Sequence, residues 1–371
     1  MTGLYIHIPF CGQACTYCDF HFSTSLKNES LVIGAIKREL AERKSESQGE
    51  IRTIYFGGGT PSVLSERTIA SMMEVIHAEY NVNPDAEVTL EANPDDITDA
   101  KLNEWQMAGI NRLSIGIQTF DDEILSWMKR THTGNDAVKA VFDAQDKGFE
   151  NITIDLIYGL PGYTIERWVE YVRKAEALGI SHLSAYCLTV EPRTHLAKMV
   201  EKGEIVMPSD EEAGEQFMTL ITELDSLGMK QYEVSNFARK GFESKHNTSY
   251  WQQYPYIGIG PSAHSFDGKS RRWNIANNAV YSKNLEAGES YYESEELSIN
   301  DRYNEAIMTG LRTVQGVNID RLDEIQPGLG AKFTNDIQAL GFMVNDHPYF
   351  RLTTEGLLLA DRIASDLFMV D

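Results

Sequence analysis

Three cysteines fall within eight residues near the start of the chain, at Cys11, Cys15 and Cys18. Thiolate sulfur is a preferred ligand of iron–sulfur clusters, and an electron-transfer cluster usually carries one cysteine on each of four irons. A [4Fe–4S] cluster held by three cysteines therefore keeps one iron open. Because an open iron can bind a small molecule directly, this cysteine run predicts a cluster that does chemistry on a ligand.

A structural zinc site is the alternative for the same three cysteines. Zinc sites with three cysteines and one histidine are common, and His7 and His21 lie close by in the sequence. The spacing alone does not decide between the two metals. A compact run without a second ligand pair elsewhere is a poor zinc framework, so the iron–sulfur interpretation is favoured.

Composition limits the classes of protein to which the chain can belong. Its 371 residues, 42% of them hydrophobic, suffice for one large domain and a smaller one. We expect a cytoplasmic protein, because no segment reads as a signal peptide or reaches the roughly 18 apolar residues of a membrane span. The formal charge of −22 argues against general nucleic-acid binding. The distant Cys187 argues against a disulfide framework and is expected to be a small buried residue in the sixth strand.

Apolar, β-branched runs alternate with amphipathic stretches about six times over the first half of the chain. The runs begin near Leu4, Arg52, Glu87, Leu113, Ile152 and His182. Helices are predicted over residues 30–43, 65–80, 98–108, 135–147 and 164–178. This alternation predicts an α/β fold with parallel strands, and we expect a partial barrel. Such folds carry their functional loops at the carboxyl ends of the strands.

Chemistry-bearing motifs follow the ends of these predicted strands. The cysteine run follows the first strand, the glycine-rich segment Gly57–Pro61 follows the second, and Glu91 and Gln118 end the third and fourth. Glycines let a backbone approach a ligand closely, and Thr60 adds a hydroxyl group. Tight turns and capped strand ends are the alternatives for each motif taken singly. Together they predict one pocket on one face of the sheet.

The chain divides into three predicted regions. Residues 1–235 form the partial barrel, residues 236–298 a connector and pocket region, and residues 299–371 a small helical domain that resembles a winged-helix unit. Within the last region a final helix is predicted over residues 354–368. That region holds more acidic than basic residues, so DNA reading is not expected.

The spacing Cys-x3-Cys-x2-Cys after a first strand, with Tyr17 before the last cysteine, resembles the radical S-adenosylmethionine (SAM) enzymes. In that family the open iron of a [4Fe–4S] cluster chelates the amino and carboxylate groups of SAM, and cluster reduction cleaves the sulfonium to a 5′-deoxyadenosyl radical. The resemblance implies that Cys11, Cys15 and Cys18 hold the cluster. It implies SAM-binding positions at Tyr5, Tyr17, Gly58, Gly59, Thr60, Glu91, Gln118, Arg130 and Asp155. A helix-end arginine and a turn-forming aspartate are the alternatives for Arg130 and Asp155.

Four motifs together resemble the oxygen-independent coproporphyrinogen oxidase (HemN) family. They are Tyr5–Cys11, Gly57–Ser62, Gly116–Phe120 and Asp155–Pro161. The oxidases of that family carry a fourth cysteine two places after the third, whereas this chain has Phe20 there. The resemblance therefore keeps decarboxylation of coproporphyrinogen III as an alternative function, beside a zinc-stabilised binding module.

Phe20 and the segment His246-Asn247-Thr248-Ser249-Tyr250-Trp251 resemble the HemW branch of this family, whose members act as heme chaperones. By implication the chain binds heme and passes it to acceptor hemoproteins, such as respiratory cytochromes at the membrane surface. Homodimer formation and turnover of SAM stay open. His246, Asn247, Tyr250 and Trp251 are the implied heme contacts, because histidine is a natural axial ligand and aromatic rings pack on a porphyrin. From the residues alone, a hydrogen-bonded packing cluster is the alternative.

Overall fold

The computed structural model describes residues 2–47, 49–337 and 340–370, so residues 1 and 371, the outer ends of the predicted regions, lie outside it. The strands are β1 Thr2–Ile8, β2 Ile51–Gly58, β3 Val82–Ala92, β4 Arg112–Gln118, β5 Asn151–Tyr158, β6 His182–Cys187, β7 Lys230–Glu233, β8 Asn236–Ala238, β9 Tyr256–Ile259, β10 His264–Phe266, β11 Ser270–Asn274, β12 Tyr292–Glu296, β13 Val317–Asn318, β14 Met343–Asp346 and β15 Tyr349–Leu352. The helices are α1 Glu29–Glu42, α2 Glu66–Glu79, α3 Asp99–Met107, α4 Asp122–Trp127, α5 Gly134–Asp146, α6 Ile165–Ala177, α7 His195–Glu201, α8 Asp210–Ser226, α9 Lys245–Trp251, α10 Asn278–Ala287, α11 Ile299–Leu311, α12 Ile319–Ile325, α13 Leu329–Ile337, α14 Thr354–Leu357 and α15 Ala360–Asp366.

Strands β1 to β6 pair in chain order and are all parallel, with helices in the connections. One row of side chains on each strand is apolar and buried in the core, for example Ile6, Leu90 and Ile115. The other row is largely polar and faces the inside of the curved sheet, since side chains alternate along a strand. The predicted α/β partial barrel is thereby confirmed.

Three of the connecting helices begin at threonine caps. Thr98, Thr133 and Thr164 accept hydrogen bonds from backbone N–H groups in the first turns of α3, α5 and α6. Such caps satisfy donors that a helix cannot satisfy itself. Helix α5 begins at Gly134, one residue before the predicted start, because Thr133 rather than a later residue is its cap.

The sheet continues past both edges of the six parallel strands. On one edge β8 runs antiparallel to β6 and β7 follows, whereas on the other β9 runs parallel to β1 and leads to β10, β11 and β12. Residues 236–298, predicted as connector and pocket region, thus contribute β8 to β12 together with α9 and α10. These strands have three to five residues each, which is too short for a periodic pattern to stand out in the sequence.

The C-terminal region packs helices α11, α12, α13, α14 and α15 around a three-stranded antiparallel sheet in the order β13-β15-β14. The prediction of one final helix over 354–368 is corrected, because α14 and α15 are separate and Leu358 and Leu359 lie between them. Within the described part of the chain, no helix combines the length and the apolar character needed to cross a membrane.

Candidate functional site

A cavity of about 780 Å³ opens at the carboxyl ends of the parallel strands. Its volume lies within the range of about 300–1,000 Å³ that is usual for small-molecule pockets. Most of the predicted cluster and SAM residues line it: Cys11, Cys15, Cys18, Tyr17, Gly58, Gly59, Thr60, Glu91, Gln118, Arg130 and Asp155. Loops separated by up to 144 residues in the sequence therefore meet as predicted. Tyr5, His246 and the three residues predicted with His246 do not line this cavity.

Backbone hydrogen bonds hold the cysteine loop to the segment that follows it and to α7. The Cys11 N–H donates to Ser23 O at 3.0 Å, and the Leu196 N–H donates to Thr16 O at 2.8 Å. Two side chains donate to the sulfurs: Thr60 Oγ1 lies 3.4 Å from Cys11 Sγ and Arg130 Nη1 lies 3.6 Å from Cys15 Sγ. Donors directed at sulfur stabilise the thiolate form and tune a cluster that thiolates hold.

Burial raises the pKa of the Cys11 and Cys18 thiols to about 11 in the metal-free chain. Cluster binding must therefore displace protons from these thiols. Among the described residues, no group of three or more His, Cys, Asp or Glu side chains surrounds one point as a single metal ion requires. A cubane spreads its cysteines over separate irons. The three thiols and their two donors fit such a group.

The glycine loop has no room for side chains. Gly58 has φ +106°, and a Cβ there would lie 2.4 Å from His7 Nδ1. A Cβ on Gly59 would lie 2.5 Å from the carbonyl oxygen of Phe10. The Thr60 N–H donates to that same oxygen at 2.6 Å. Glycines thus let the loop after β2 lie directly against the loop that carries Cys11.

Two carboxyl groups form the floor of the cavity. Glu91 Oε1 accepts from the Tyr55 hydroxyl at 2.8 Å, and Oε2 accepts from the Gly58 N–H at 3.2 Å. Burial raises the pKa of Glu91 to about 7, against the effect of those two donors. Burial also raises the pKa of Asp155 to about 6. Carboxyl groups with such values can be charged when a cationic ligand is present and neutral when it is absent.

Gln118 and Arg130 occupy the wall beside Cys15. Gln118 adopts a left-handed backbone with φ +69°, which is uncommon for a residue other than glycine. A Cβ on Gly116 would lie 2.8 Å from Gln118 Nε2, so the glycine lets this amide fold back over the strand. Arg130 Nη2 donates to Asn93 Oδ1 and to the carbonyl oxygen of Gly116, each at 2.7 Å. Arg130 is therefore part of the pocket and not an exposed helix end.

The segment 246–251 lies elsewhere, in helix α9 at the opposite end of the barrel. His246 is 1% exposed, and its two ring nitrogens bond Thr53 Oγ1 at 2.8 Å and the Tyr250 hydroxyl at 2.7 Å. Burial lowers the pKa of His246 to about 3, so the ring is neutral. Tyr250 and Trp251 line a second cavity of about 200 Å³. Heme ligation by His246 stays a prediction, and it requires the ring to give up one of these hydrogen bonds.

Asn247 and Tyr5 also lie apart from the cavity at the mouth. The Asn247 N–H donates to Ser244 Oγ at 3.2 Å, which caps α9. Tyr5 stacks on Tyr55 and on His246, with ring centroids 6.1 and 6.5 Å apart, and its hydroxyl bonds His7 Nδ1 at 3.2 Å. Tyr5 thus contacts Tyr55 and His7, which in turn lie against the residues of the pocket.

Sequence reasoning missed two residues inside the barrel. Tyr55 carries the hydrogen bond to Glu91 and stacks on His246 with centroids 5.0 Å apart. Arg112 is 1% exposed, and its Nε and Nη2 have no hydrogen-bond partner among the described residues. Both lie on the polar row of their strands, and Arg112 lies two residues before Ser114, which lines the cavity. That two-residue spacing on β4 was a signal that could have found Arg112.

Phe20 and Cys187 stand at the rim. Phe20 is 69% exposed and lines the cavity beside Cys18. Cys187 ends β6, lines the same cavity and is exposed. The expectation of a buried Cys187 is therefore wrong, because the side chain lies at the last position of the strand, where the sheet opens into the pocket.

The barrel and its cysteine pocket define a radical SAM protein, and residues 5–175 match the radical SAM superfamily while residues 297–359 match the HemN C-terminal domain. The heme chaperone HemW of Bacillus subtilis (strain 168) is 34% identical over 98% of this chain and 98% of its own. The heme chaperone HemW of Lactococcus lactis subsp. lactis (strain IL1403) is 33% identical over 100% and 98%. This chain belongs to the HemW family.

Two further comparisons extend this relationship. The mouse radical S-adenosyl methionine domain-containing protein 1, mitochondrial, is 34% identical over 98% of this chain and 86% of its own. The solved structure of coproporphyrinogen III oxidase (HemN) from Escherichia coli matches 99% of this chain and 90% of that chain with a TM-score of 0.84 at 22% identity. This second match shows a shared fold. Membership of the radical SAM superfamily implies a [4Fe–4S] cluster and SAM.

Proposed function

We propose that this protein is a cytoplasmic heme chaperone that binds heme and transfers it to acceptor hemoproteins. It holds a [4Fe–4S] cluster through Cys11, Cys15 and Cys18, with SAM on the open iron. The observation that carries the proposal is the end-to-end similarity to proteins named heme chaperone HemW. Phe20 supports it, because a phenylalanine stands at the pocket rim where the related oxidases carry a fourth cysteine.

In the proposed complex the residues of the cavity hold the cluster and SAM. The bound cluster supplies single electrons and one iron that accepts a ligand. Thr60 and Arg130 donate to the sulfurs that carry it. Glu91 offers a carboxylate to the ammonium group of SAM, and Asp155 and Gln118 offer polar groups to the rest of the ligand. Burial strengthens each of these interactions because water is displaced from the pocket.

The heme site within this proposal lies at α9, at the other end of the barrel from the SAM site. His246, Asn247, Tyr250 and Trp251 are the residues that the family pattern assigns to heme. The cavity that Tyr250 and Trp251 line has about 200 Å³ and carries Arg271, whose guanidinium pairs with Glu305. Respiratory cytochromes are the class of acceptor that we propose for transfer.

Anaerobic reconstitution followed by two parallel assays tests the proposed function. The reconstituted protein is titrated with heme and then mixed with an apo-cytochrome subunit, and a second sample is incubated with coproporphyrinogen III, SAM and a reductant. We expect heme binding and transfer to the apo-cytochrome without decarboxylated product. Sustained, cluster-dependent formation of protoporphyrinogen IX would overturn the chaperone proposal in favour of an oxidase.

Two controls make the transfer assay specific. Free heme at the same concentration measures uptake by the apo-cytochrome without a carrier. A Cys15→Ala variant measures how much of the transfer depends on the cluster, because Cys15 lies in the cluster loop and far from α9. Transfer no faster than from free heme would contradict the proposal.

A further inference from the structure

Helix α9 is fixed inside the base of the barrel by the carboxyl group of Glu87. Its oxygens accept from the backbone N–H groups of Lys245 at 3.0 Å and His246 at 2.9 Å, and from Ser244 Oγ at 3.4 Å. Glu87 is buried, on the polar row of β3. The backbone at His246 is therefore held in a fixed place relative to the strands, because charge-assisted hydrogen bonds are strong and short-ranged.

The His246 ring is fixed as tightly as its backbone. Thr53 Oγ1 bonds one ring nitrogen and the Tyr250 hydroxyl bonds the other. The neutral imidazole can satisfy both, since one nitrogen donates and the other accepts. Releasing either bond would leave a buried polar group without a partner, which is costly.

The fixed ring supports Tyr55. The planes of His246 and Tyr55 lie 24° apart with their centroids separated by 5.0 Å, and Tyr5 packs against both rings. Offset stacking of this kind restricts the rotation of a tyrosine ring. At its far end the same tyrosine donates its hydroxyl proton to Glu91 Oε1 at 2.8 Å. One stacked pair and one hydrogen bond thus connect α9 to the floor of the cavity at the mouth.

We infer that His246 is a positioning residue for the SAM pocket, acting through the ring of Tyr55 on the carboxyl group of Glu91. The inference rests on the SAM binding that the proposed function assigns to this pocket. It gives the 246–251 segment a role that does not require contact with heme. Loss of the imidazole leaves space beside Tyr55, so that ring can turn and its hydroxyl no longer holds Glu91 in place.

The far side of α9 contacts the C-terminal region. The Arg312 guanidinium lies 5.3 Å from the centre of the Trp251 ring, and Arg321 Nη1 donates to Gln252 O at 2.8 Å. These contacts involve residues after His246 and none of the ring contacts described above. A variant of α9 that leaves the contacts of the His246 ring intact therefore separates the general stability of α9 from the path through Tyr55.

A double-mutant cycle on SAM affinity tests the inference in the reconstituted protein. Tyr55→Phe keeps the stacked ring and removes the hydroxyl, and we expect SAM to bind about tenfold more weakly. His246→Ala is expected to weaken SAM binding about fivefold. If His246 acts through Tyr55, adding His246→Ala to Tyr55→Phe changes SAM affinity little further. Heme affinity is measured in parallel and is expected to stay unchanged in Tyr55→Phe.

Ser249→Ala is the matched control, because Ser249 Oγ bonds His246 O within α9 and does not touch Tyr55. It should bind SAM as the wild type does. If His246→Ala does not fold, Tyr250→Phe replaces it, since this change removes only the hydroxyl that bonds His246; it should weaken SAM binding in the same direction.

Three kinds of result would overturn the inference or its basis. Additive losses in the double variant, or unchanged SAM affinity in His246→Ala, would contradict a positioning role. Loss of heme binding with unchanged SAM affinity would assign His246 to heme instead. Failure of the wild-type protein to bind SAM would refute the proposed function itself, and this outcome is separate from the other two.

Discussion

Glu87 and Glu91 lie on the same polar row of β3, about 13 Å apart along the strand, and their surroundings differ completely. The chain itself occupies the oxygens of Glu87, with two backbone N–H groups and one hydroxyl of the segment that starts α9. Glu91 accepts from Tyr55 and Gly58 and still faces a cavity of about 780 Å³. One glutamate closes the base of the barrel and the other lines its mouth.

The difference teaches what marks a binding site in this fold. At the base the polar groups of Glu87, His246 and Thr53 have partners within the chain, and these bonds hold the start of α9 against the strands. At the mouth Cys11, Cys18, Glu91 and Asp155 are half-buried beside open volume, and their pKa values are raised. Polar residues that line a cavity and can form further hydrogen bonds indicate a ligand-binding site.

The largest expected effect is loss of the cluster when one of its cysteines is replaced. This change should affect the mouth of the barrel and leave the base unchanged. We expect Cys15→Ala to lose the cluster after anaerobic reconstitution, because two thiolates remain for a group that needs three. Iron and sulfide analysis with visible absorption measures this loss. Since Cys15 is not part of the core, thermal unfolding of the metal-free variant should match the wild type. Full iron content in the variant would contradict the assignment of the cluster.

The two glutamates offer a matched pair of substitutions. Glu91→Gln removes the charge facing SAM and should weaken SAM binding about ten- to one-hundred-fold, the usual value of a hydrogen bond between charged groups. Glu87→Gln keeps an oxygen that accepts from the start of α9, so it should change SAM affinity far less than Glu91→Gln does. It should lower the free energy of unfolding by about 1–3 kcal/mol, because α9 loses a charged cap. Isothermal titration and urea unfolding measure the two quantities. Equal losses of SAM affinity in the two variants, or equal losses of the free energy of unfolding, would contradict this comparison.

The pH dependence of SAM binding should follow Glu91. Its pKa is raised to about 7, so the carboxyl group of the free protein is largely neutral below that pH. Because a cationic ammonium prefers the charged form, affinity should rise about tenfold per pH unit up to about pH 7 and then level off. Asp155, with a pKa of about 6, and the hydroxyl of Tyr55 also face this group.

The stability of the metal-free protein should change with pH in the opposite direction to the SAM affinity. A carboxyl group whose pKa is raised on folding destabilises the folded state when it ionises, so the stability of the metal-free protein should fall as pH rises from about 4.5 to about 7. Titrations at several pH values with wild type and Glu91→Gln separate the two effects. A wild-type SAM affinity that does not change with pH would contradict the role of Glu91.

Much of the barrel and its mouth could be predicted because the signals are local. Hydrophobic periodicity marked the parallel strands, and the cysteine and glycine motifs mark strand ends that any parallel sheet brings together. The base could not be predicted in this way. The pairs Thr53 with His246 and Glu87 with the start of α9 join residues more than 150 positions apart, and no local pattern records them. Tyr55 was missed for the same reason, since its importance comes from two neighbours on other elements.

The most direct test of the account is electron paramagnetic resonance of the reduced, reconstituted protein with and without SAM. We predict the signal of one [4Fe–4S] cluster per chain and a change in that signal when SAM is added, because SAM binds the iron that the three cysteines leave open. In Glu91→Gln the same change in the signal should require a higher SAM concentration. A cluster signal that SAM does not alter, or a protein that binds no iron, would contradict the assignment of the mouth as a cluster and SAM site.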